Sequence, residues 1–136
     1  MKKFSCILLV DDDKATNFAN RLLLEDMDVT EKIMVALNGK EAIEIIGKAC
    51  LTGSCPELIL LDVNMPVMNG FEFLEAYSKL DIAQKQSVVI LMLTTSLNPK
   101  DVDRLKQAPI QGFLNKPLTE QMVSELLQKY IKNSRQ

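Results

Sequence analysis

A chain of 136 residues, 47% apolar and 25% charged, has the size and composition of one globular domain with its own core. Its net charge of -2 provides no basic surface for nucleic acid or an anionic membrane. The absence of histidine excludes His-containing zinc sites, Ser-His and Cys-His catalysis and a histidine phosphocarrier role.

Three cysteines, Cys6, Cys50 and Cys55, argue against a disulfide framework. Cys6 lies in an apolar run and reads as a small core hydrophobe. Cys50 and Cys55 flank a loop and could meet, but reduced thiols are the expectation. Lys2 and Lys3 precede only seven apolar residues and then three aspartates, which is not a signal peptide. No stretch approaches the length of a membrane span. A cytoplasmic location is the default.

Phe4 to Val10 reads as the first strand and stops at Asp11-Asp12-Asp13. Ala15, Phe18, Ala19, Leu22 and Leu23 recur at helical spacing and predict the first helix, with that stripe inward. Val29 to Ala36 is strand-like, with Glu31 and Lys32 at an exposed end. Asn38-Gly39 marks a turn and N-cap, and Ala42, Ile45, Ile46, Ala49 and Cys50 form the next helical stripe. A loop over Thr52 to Pro56 leads to a third strand, Leu58 to Leu61, which runs unbroken into Asp62. Apolar on both faces, this is a strand of a parallel sheet.

Asn69-Gly70 opens a helix with Phe71, Leu74 and Tyr77 inward. Val88 to Leu93 is the fourth strand, ending at Thr94-Thr95-Ser96. Asn98-Pro99 starts a short, weakly anchored helix with Val102 and Leu105 inward. Gly112 to Asn115 is the last strand, and Lys116-Pro117 ends it. Met122, Val123, Leu126, Leu127, Tyr130 and Ile131 form the final amphipathic helix. Five strands alternating with five helices predict an α/β fold, a doubly wound parallel sheet covered on both faces. Nothing is left over for a second domain, so residues 1–136 are expected to be one unit.

In a parallel sheet the carboxyl ends of the strands share one edge, where ligands bind. That edge collects Asp11 and Asp12 from the first strand, Asp62 from the third, Thr94 from the fourth and Lys116 from the fifth. Singly, each has a plain explanation as a cap, a turn residue or a solvated charge. Together they make one chemical sense. Carboxylates about 4 Å apart repel by roughly 4 kcal/mol per pair at an effective dielectric near 20. A proton or a cation must relieve them. An all-oxygen set suits a hard ion, and Mg²⁺, which keeps waters and accepts phosphate oxygens, fits best. Lys116 can hold an incoming anion and Thr94 can donate to it. A carboxylate nucleophile beside a metal and a cation describes phosphoryl transfer to aspartate.

These residues resemble the receiver domain of two-component response regulators, of the single-domain chemotaxis type. The resemblance spans essentially the whole chain. It rests on Ile7-Leu8-Leu9-Val10-Asp11-Asp12-Asp13, on Leu60-Leu61-Asp62-Val63-Asn64-Met65-Pro66-Val67-Met68-Asn69-Gly70, on Leu91-Met92-Leu93-Thr94-Thr95-Ser96 and on Gly112-Phe113-Leu114-Asn115-Lys116-Pro117. It implies a flavodoxin-like five-stranded sheet of order 2-1-3-4-5. It also implies a set of roles. Asp62 is the phosphoacceptor. Asp11, Asp12, Asp62 and the backbone carbonyl of Asn64 hold Mg²⁺. Lys116 contacts the phosphoryl group, Thr94 moves toward it, and Phe113 is the switching aromatic. The Lys116-Pro117 bond is cis.

The implied function is that of a phosphoacceptor in a phosphorelay, charged by a histidine kinase or histidine phosphotransfer protein. Phosphorylation would reshape the face made by helix 4, strand 5 and helix 5 for an output protein. Such a protein labels itself from a phosphodonor and loses the label slowly, without turnover of an external substrate. No output domain is expected, so signalling would run through protein contact or relay. Two departures stand out: Thr95 where the family prefers a small residue, and a slightly long Thr52–Glu57 loop. The alternative is a degenerate receiver serving as a phosphorylation-independent interaction module. A haloacid dehalogenase-type phosphatase wants a second acid two residues after the nucleophile, and Asn64 stands there.

Overall fold

Every residue of Leu58-Ile59-Leu60-Leu61-Asp62 is buried, as a strand covered on both faces requires. This is β3 (Leu58–Asp62), the middle strand of the protein. Its computed structural model describes residues 3–63, 65, 67–80, 88–94, 99–108 and 110–132. The remaining strands are β1 (Ile7–Val10), β2 (Ile33–Ala36), β4 (Val89–Thr94) and β5 (Gly112–Asn115), and the sheet runs in the order 2-1-3-4-5, parallel throughout. Among the described residues the helices are α1 (Lys14–Met27), α2 (Gly39–Leu51), α3 (Gly70–Ser78), α4 (Pro99–Gln107) and α5 (Glu120–Leu127).

The two-residue period of the strands divides the core into two layers. Leu8, Val10, Ile59, Leu61, Ile90 and Met92 face one side, with Ala42 and Ile46 of α2 and Phe73, Leu74 and Tyr77 of α3. Ile7, Leu9, Leu58, Leu60, Leu91 and Leu93 face the other, with Leu24 of α1 and Val123 and Leu126 of α5. Neither layer carries a charge. The polar groups are left for the strand ends.

The elements sit where the sequence puts them, with six differences. The first strand begins at Ile7 rather than Phe4, and the second at Ile33 rather than Val29. Phe4 and Thr30 still form an isolated parallel bridge, so pairing starts, breaks and resumes. The inner face of α1 is Asn17, Asn20 and Leu24, while Phe18 and Leu22 are 64% and 45% exposed. The apolar stripe therefore points outward, because Asn17 turns inward to donate from Nδ2 to the Asp11 carbonyl at 2.8 Å. In α3 the fully buried ring is Phe73, and Phe71 is only half-buried.

The last helix is α-helical only to Leu127, and Gln128–Lys132 continues as a π-helical turn that still buries Ile131. Finally, Cys50 and Cys55 are joined in a disulfide rather than left as thiols. The turn explains it. Thr52 and Ser54 return their N–H groups to the Ala49 carbonyl, and Gly53 returns its own to Cys50, which brings the cysteine Cα atoms to 4.3 Å. The expected inward positions Val102 and Leu105, and the expected cap Asn98, lie outside the described side chains. No helix among the described residues is long and apolar enough to cross a membrane.

The two phenylalanines make a direct check of the layering. Phe73→Ala is expected to cost about 3–5 kcal/mol, the range for emptying a buried aromatic site. Phe18→Ala should stay within about 0.5 kcal/mol, as exposed substitutions do. Urea unfolding of both variants reads this, and equal losses would mean that α1 packs the other way round.

Candidate functional site

Strand β1 ends at Val10 and delivers Asp11, Asp12 and Asp13 in succession. The third is consumed locally. Asp13 is the N-cap of α1: Oδ1 accepts from the Ala15 N–H at 3.0 Å and Oδ2 from the Thr16 hydroxyl at 2.8 Å. Those hydrogen bonds hold its carboxyl below the usual aspartate range. Asp11 is 4% exposed and Asp62 8% exposed, whereas Asp12 faces solvent. Asp11, Asp12 and Asp62 each offer one carboxylate oxygen, and these oxygens lie within 4.8 Å of one another. With no thiol or imidazole in the set, its donors suit a hard cation such as Mg²⁺, and the exposed Asp12 leaves it open to water.

Lys116 reaches into this group from the end of β5. Its Nζ lies 2.7 Å from Asp11 Oδ2 and 3.1 Å from Asp62 Oδ1. The Lys116-Pro117 bond is cis. The Lys116 N–H donates to the Thr94 carbonyl at 2.9 Å, tying the cation's backbone to the end of β4. Thr94 itself is 2% exposed. Phe113 is half-buried, opposite Met92 in the β4–β5 register, and packs on the layer under α2 and α3. The five predicted groups of the strand ends thus stand on one edge. Asn64, Thr95 and Ser96 lie outside the described residues.

Burial raises the Asp62 carboxyl above its ordinary value, and the Asp11 charge adds to this. The Lys116 ammonium only partly offsets both. Lys116 is also raised. Burial works against its charge, but hydrogen bonds to Asp11 and Asp62 and the attraction of both carboxylates together outweigh burial. The two shifts are consistent: one ammonium is shared among more carboxylates than it can neutralise.

The sequence did not announce how the loop after β3 is held. Gly39, the first residue of α2, donates its N–H to the Met68 carbonyl at 3.1 Å. A Cβ there would come within 2.9 Å of that carbonyl and 2.7 Å of Met68 Cγ. Gly70 packs its Cα against β3, and a Cβ would stand 2.8 Å from the Asp62 carbonyl oxygen. Asn69 and Glu72 close a capping box at the start of α3. Val67, 75% exposed, is left at φ 67°, a left-handed conformation that a β-branched residue adopts only under constraint.

The comparisons with known proteins agree with this geometry. Residues 7–128 match the response regulator receiver domain. A protein-glutamate methylesterase/protein-glutamine glutaminase of Methanococcoides burtonii is 32% identical over 88% of this chain, which spans about one third (32%) of that protein's length. Two-component response regulator 24 of Arabidopsis thaliana is 29% identical over 90% of this chain and 81% of its own. The crystal structure of a two component response regulator from Cytophaga hutchinsonii superposes with a TM-score of 0.87 at 27% identity, covering 96% of this chain and 99% of that one. The chain belongs to the response regulator receiver domains of two-component signalling.

Two outcomes are expected of the metal-free protein. Val67→Asn should raise stability by about 1 kcal/mol, since a left-handed L-residue costs about 1–2 kcal/mol and Asn tolerates the conformation. Chemical denaturation measures it, and no gain would show that the loop carries no strain there. Asp62→Asn should also stabilise. A carboxyl whose folded pKa is raised lowers stability progressively from its unfolded value, near 4, upward, and fully above the folded value. The gap between Asp62→Asn and the parent should therefore be widest at neutral pH and close toward pH 4. A gap that widens on acidification would reverse the assigned sign.

Proposed function

We propose that the protein is a phosphoacceptor response regulator whose Asp62 takes a phosphoryl group in a Mg²⁺-dependent reaction. The observation that carries this is the Lys116 ammonium lodged between Asp11 and Asp62 at 2.7 and 3.1 Å, with Asp12 completing the acidic group. An Asp62 carboxylate oxygen attacks phosphorus in a phosphohistidine of the donor. The new P–O bond forms as the P–N bond breaks, and the bond pair leaves on the imidazole. Asp11, Asp12 and Asp62, with the carbonyl of Asn64, would hold Mg²⁺, which when bound neutralises charge developing on the phosphoryl oxygens. Lys116 exchanges a carboxylate for a phosphoryl oxygen, and the Thr94 hydroxyl donates to another.

The donor is a histidine kinase or histidine phosphotransfer protein. Arrival of about 1.5 to 2 negative charges draws Thr94 toward Asp62. Phe113 follows into the space behind, and the α4–β5–α5 face changes for an output protein. A coupling of about 1–3 kcal/mol would alter that partner's affinity roughly 5–150-fold. The protein works in the cytoplasm, and residues 1–136 act as one receiver unit. It transfers to itself and turns over no external substrate.

The test is incubation with acetyl phosphate, read by intact mass. One phosphoryl addition is expected with Mg²⁺, none without it, and none in Asp62→Asn. Mg²⁺ at 100 times its Kd should also stabilise the fold by about 2.7 kcal/mol. That gain should largely vanish in Asp12→Asn, whose exposed side chain bears no packing. Labelling that persists in Asp62→Asn would move the acceptor elsewhere. Failure to label, with no Mg²⁺ stabilisation, would leave an interaction module.

A further inference from the structure

Helix α4 is held at its far end and joined to the site at its near end. Beyond its C-terminus, Gln111 donates its N–H to the Ile90 carbonyl at 3.0 Å and accepts the Ile90 N–H on its side-chain oxygen at 2.7 Å. Ala108 and Ile110 pack on the core beside it. The other end starts at Pro99, a short connection after Thr94. Between these ends, the Arg104 guanidinium lies over the Phe71 ring, 3.9 Å from its centroid. Phe71 is the second residue of α3, directly after Gly70, whose N–H donates to the Val63 carbonyl at 2.9 Å. The stack therefore ties the helix that leaves Asp62 to the helix that leaves Thr94.

We propose that the Arg104–Phe71 stack is a latch that holds α4 in the arrangement of the unmodified site and so sets how readily Asp62 takes a phosphoryl group. It rests on the reading of Asp62 as phosphoacceptor. A group on Asp62 that accepts a hydrogen bond from Thr94 draws the end of β4 toward Asp62, and α4 is the next helix in the chain after that strand end. With the far end of α4 pinned by Gln111, the helix yields in its middle, where Arg104 covers Phe71. A contact made in one arrangement opposes the other by its own worth, and the opposition is reciprocal. For an exposed Arg over an aromatic ring that worth is a factor of about two to five. This is strong enough to bias the site and weak enough for a phosphoryl group to override. Neither the strand-end motifs nor the helical periodicity pointed to Arg104, a cation on the most polar helix of the chain.

The experiment titrates fluoroberyllate, a phosphoryl mimic, into the Mg²⁺-loaded protein and follows binding by amide NMR. It compares Arg104→Gln, Phe71→Leu, the double variant and Lys106→Gln, an exposed cation of the same helix. Thermal unfolding without Mg²⁺ is recorded beside it. The two single variants should each lower the midpoint about twofold to fivefold. The double variant should lower it by the same factor rather than the product, and Lys106→Gln should leave it in place. Labelling by acetyl phosphate should speed up in the same order. An unmoved midpoint in Arg104→Gln, an equal shift in Lys106→Gln, or multiplying effects in the double variant would each overturn the latch. If the parent fails to bind fluoroberyllate, or Asp62→Asn binds it as well, the phosphoacceptor reading fails and the latch with it. Intact binding without a shift removes the latch alone.

Discussion

One ammonium set against three carboxylates is the constraint on which this structure depends. Two of the carboxylates, Asp11 and Asp62, are nearly fully buried, and burial of unpaired charge is among the costliest things a fold can do. Among the described residues they are tolerated at one place, the edge where the parallel strands end. Beneath that edge the two clusters that cover the sheet are built of hydrophobic side chains. The two core layers are built from alternate residues of β1, β3 and β4, and neither contains a carboxylate, an ammonium or a guanidinium. Lys116 Nζ, arriving from the edge strand β5, partly compensates the acids without neutralising them. The residual excess of negative charge is the property that makes the site receptive to a cation. The same excess makes the empty arrangement less stable than its hydrophobic frame would allow.

Much of this was legible in the sequence, because the signals were of the strongest kind. An apolar run without alternation identifies a doubly covered strand, and a polar residue at its end falls on the ligand edge by topology alone. Asp11, Asp12, Asp62, Thr94 and Lys116 were found that way. The face of α1 was not legible. Its hydrocarbon stripe suggested inward packing, but the groups nearest the strand ends are backbone carbonyls, and Asn17 satisfies one where a leucine could not. Phe71 and Phe73 differ by two positions, and periodicity over so short a helix does not choose between them. The Cys50–Cys55 pairing depends on how Thr52, Gly53 and Ser54 fold back on α2, which composition does not encode.

The loop after β3 shows how the fold and the site constrain each other. It must carry the chain from Asp62 to α3, and its Val63 and Met68 carbonyls accept from the Gly70 and Gly39 N–H groups. Two glycines permit the close approaches, Gly39 against Met68 and Gly70 against the Asp62 carbonyl. The capping box at Asn69 fixes where the loop ends. Val67 absorbs what remains as a left-handed residue exposed to solvent. Strain placed on an exposed residue, rather than on Asp62 itself, leaves the geometry of the Asp62 carboxylate set by the sheet. Strand register and loop strain are thus separated along the chain, and the Asp62 carboxylate stays on the strand side of the boundary.

The polar inner face of α1 extends the same logic. Asn17 grips the Asp11 carbonyl through Nδ2 at 2.8 Å, and among the described residues its Oδ1 has no hydrogen-bond partner. A buried acceptor without a donor is costly. It is retained next to the residue whose carboxylate faces Lys116. The backbone of Asp11 is therefore fixed from two sides, by Asn17 and by the Asp11 N–H donating to the Ala36 carbonyl at 3.1 Å, while its carboxylate accepts the Asp13 N–H on Oδ1 at 2.9 Å and meets Lys116 with Oδ2. Such a carboxylate can exchange one cationic partner for another without moving the strand that bears it.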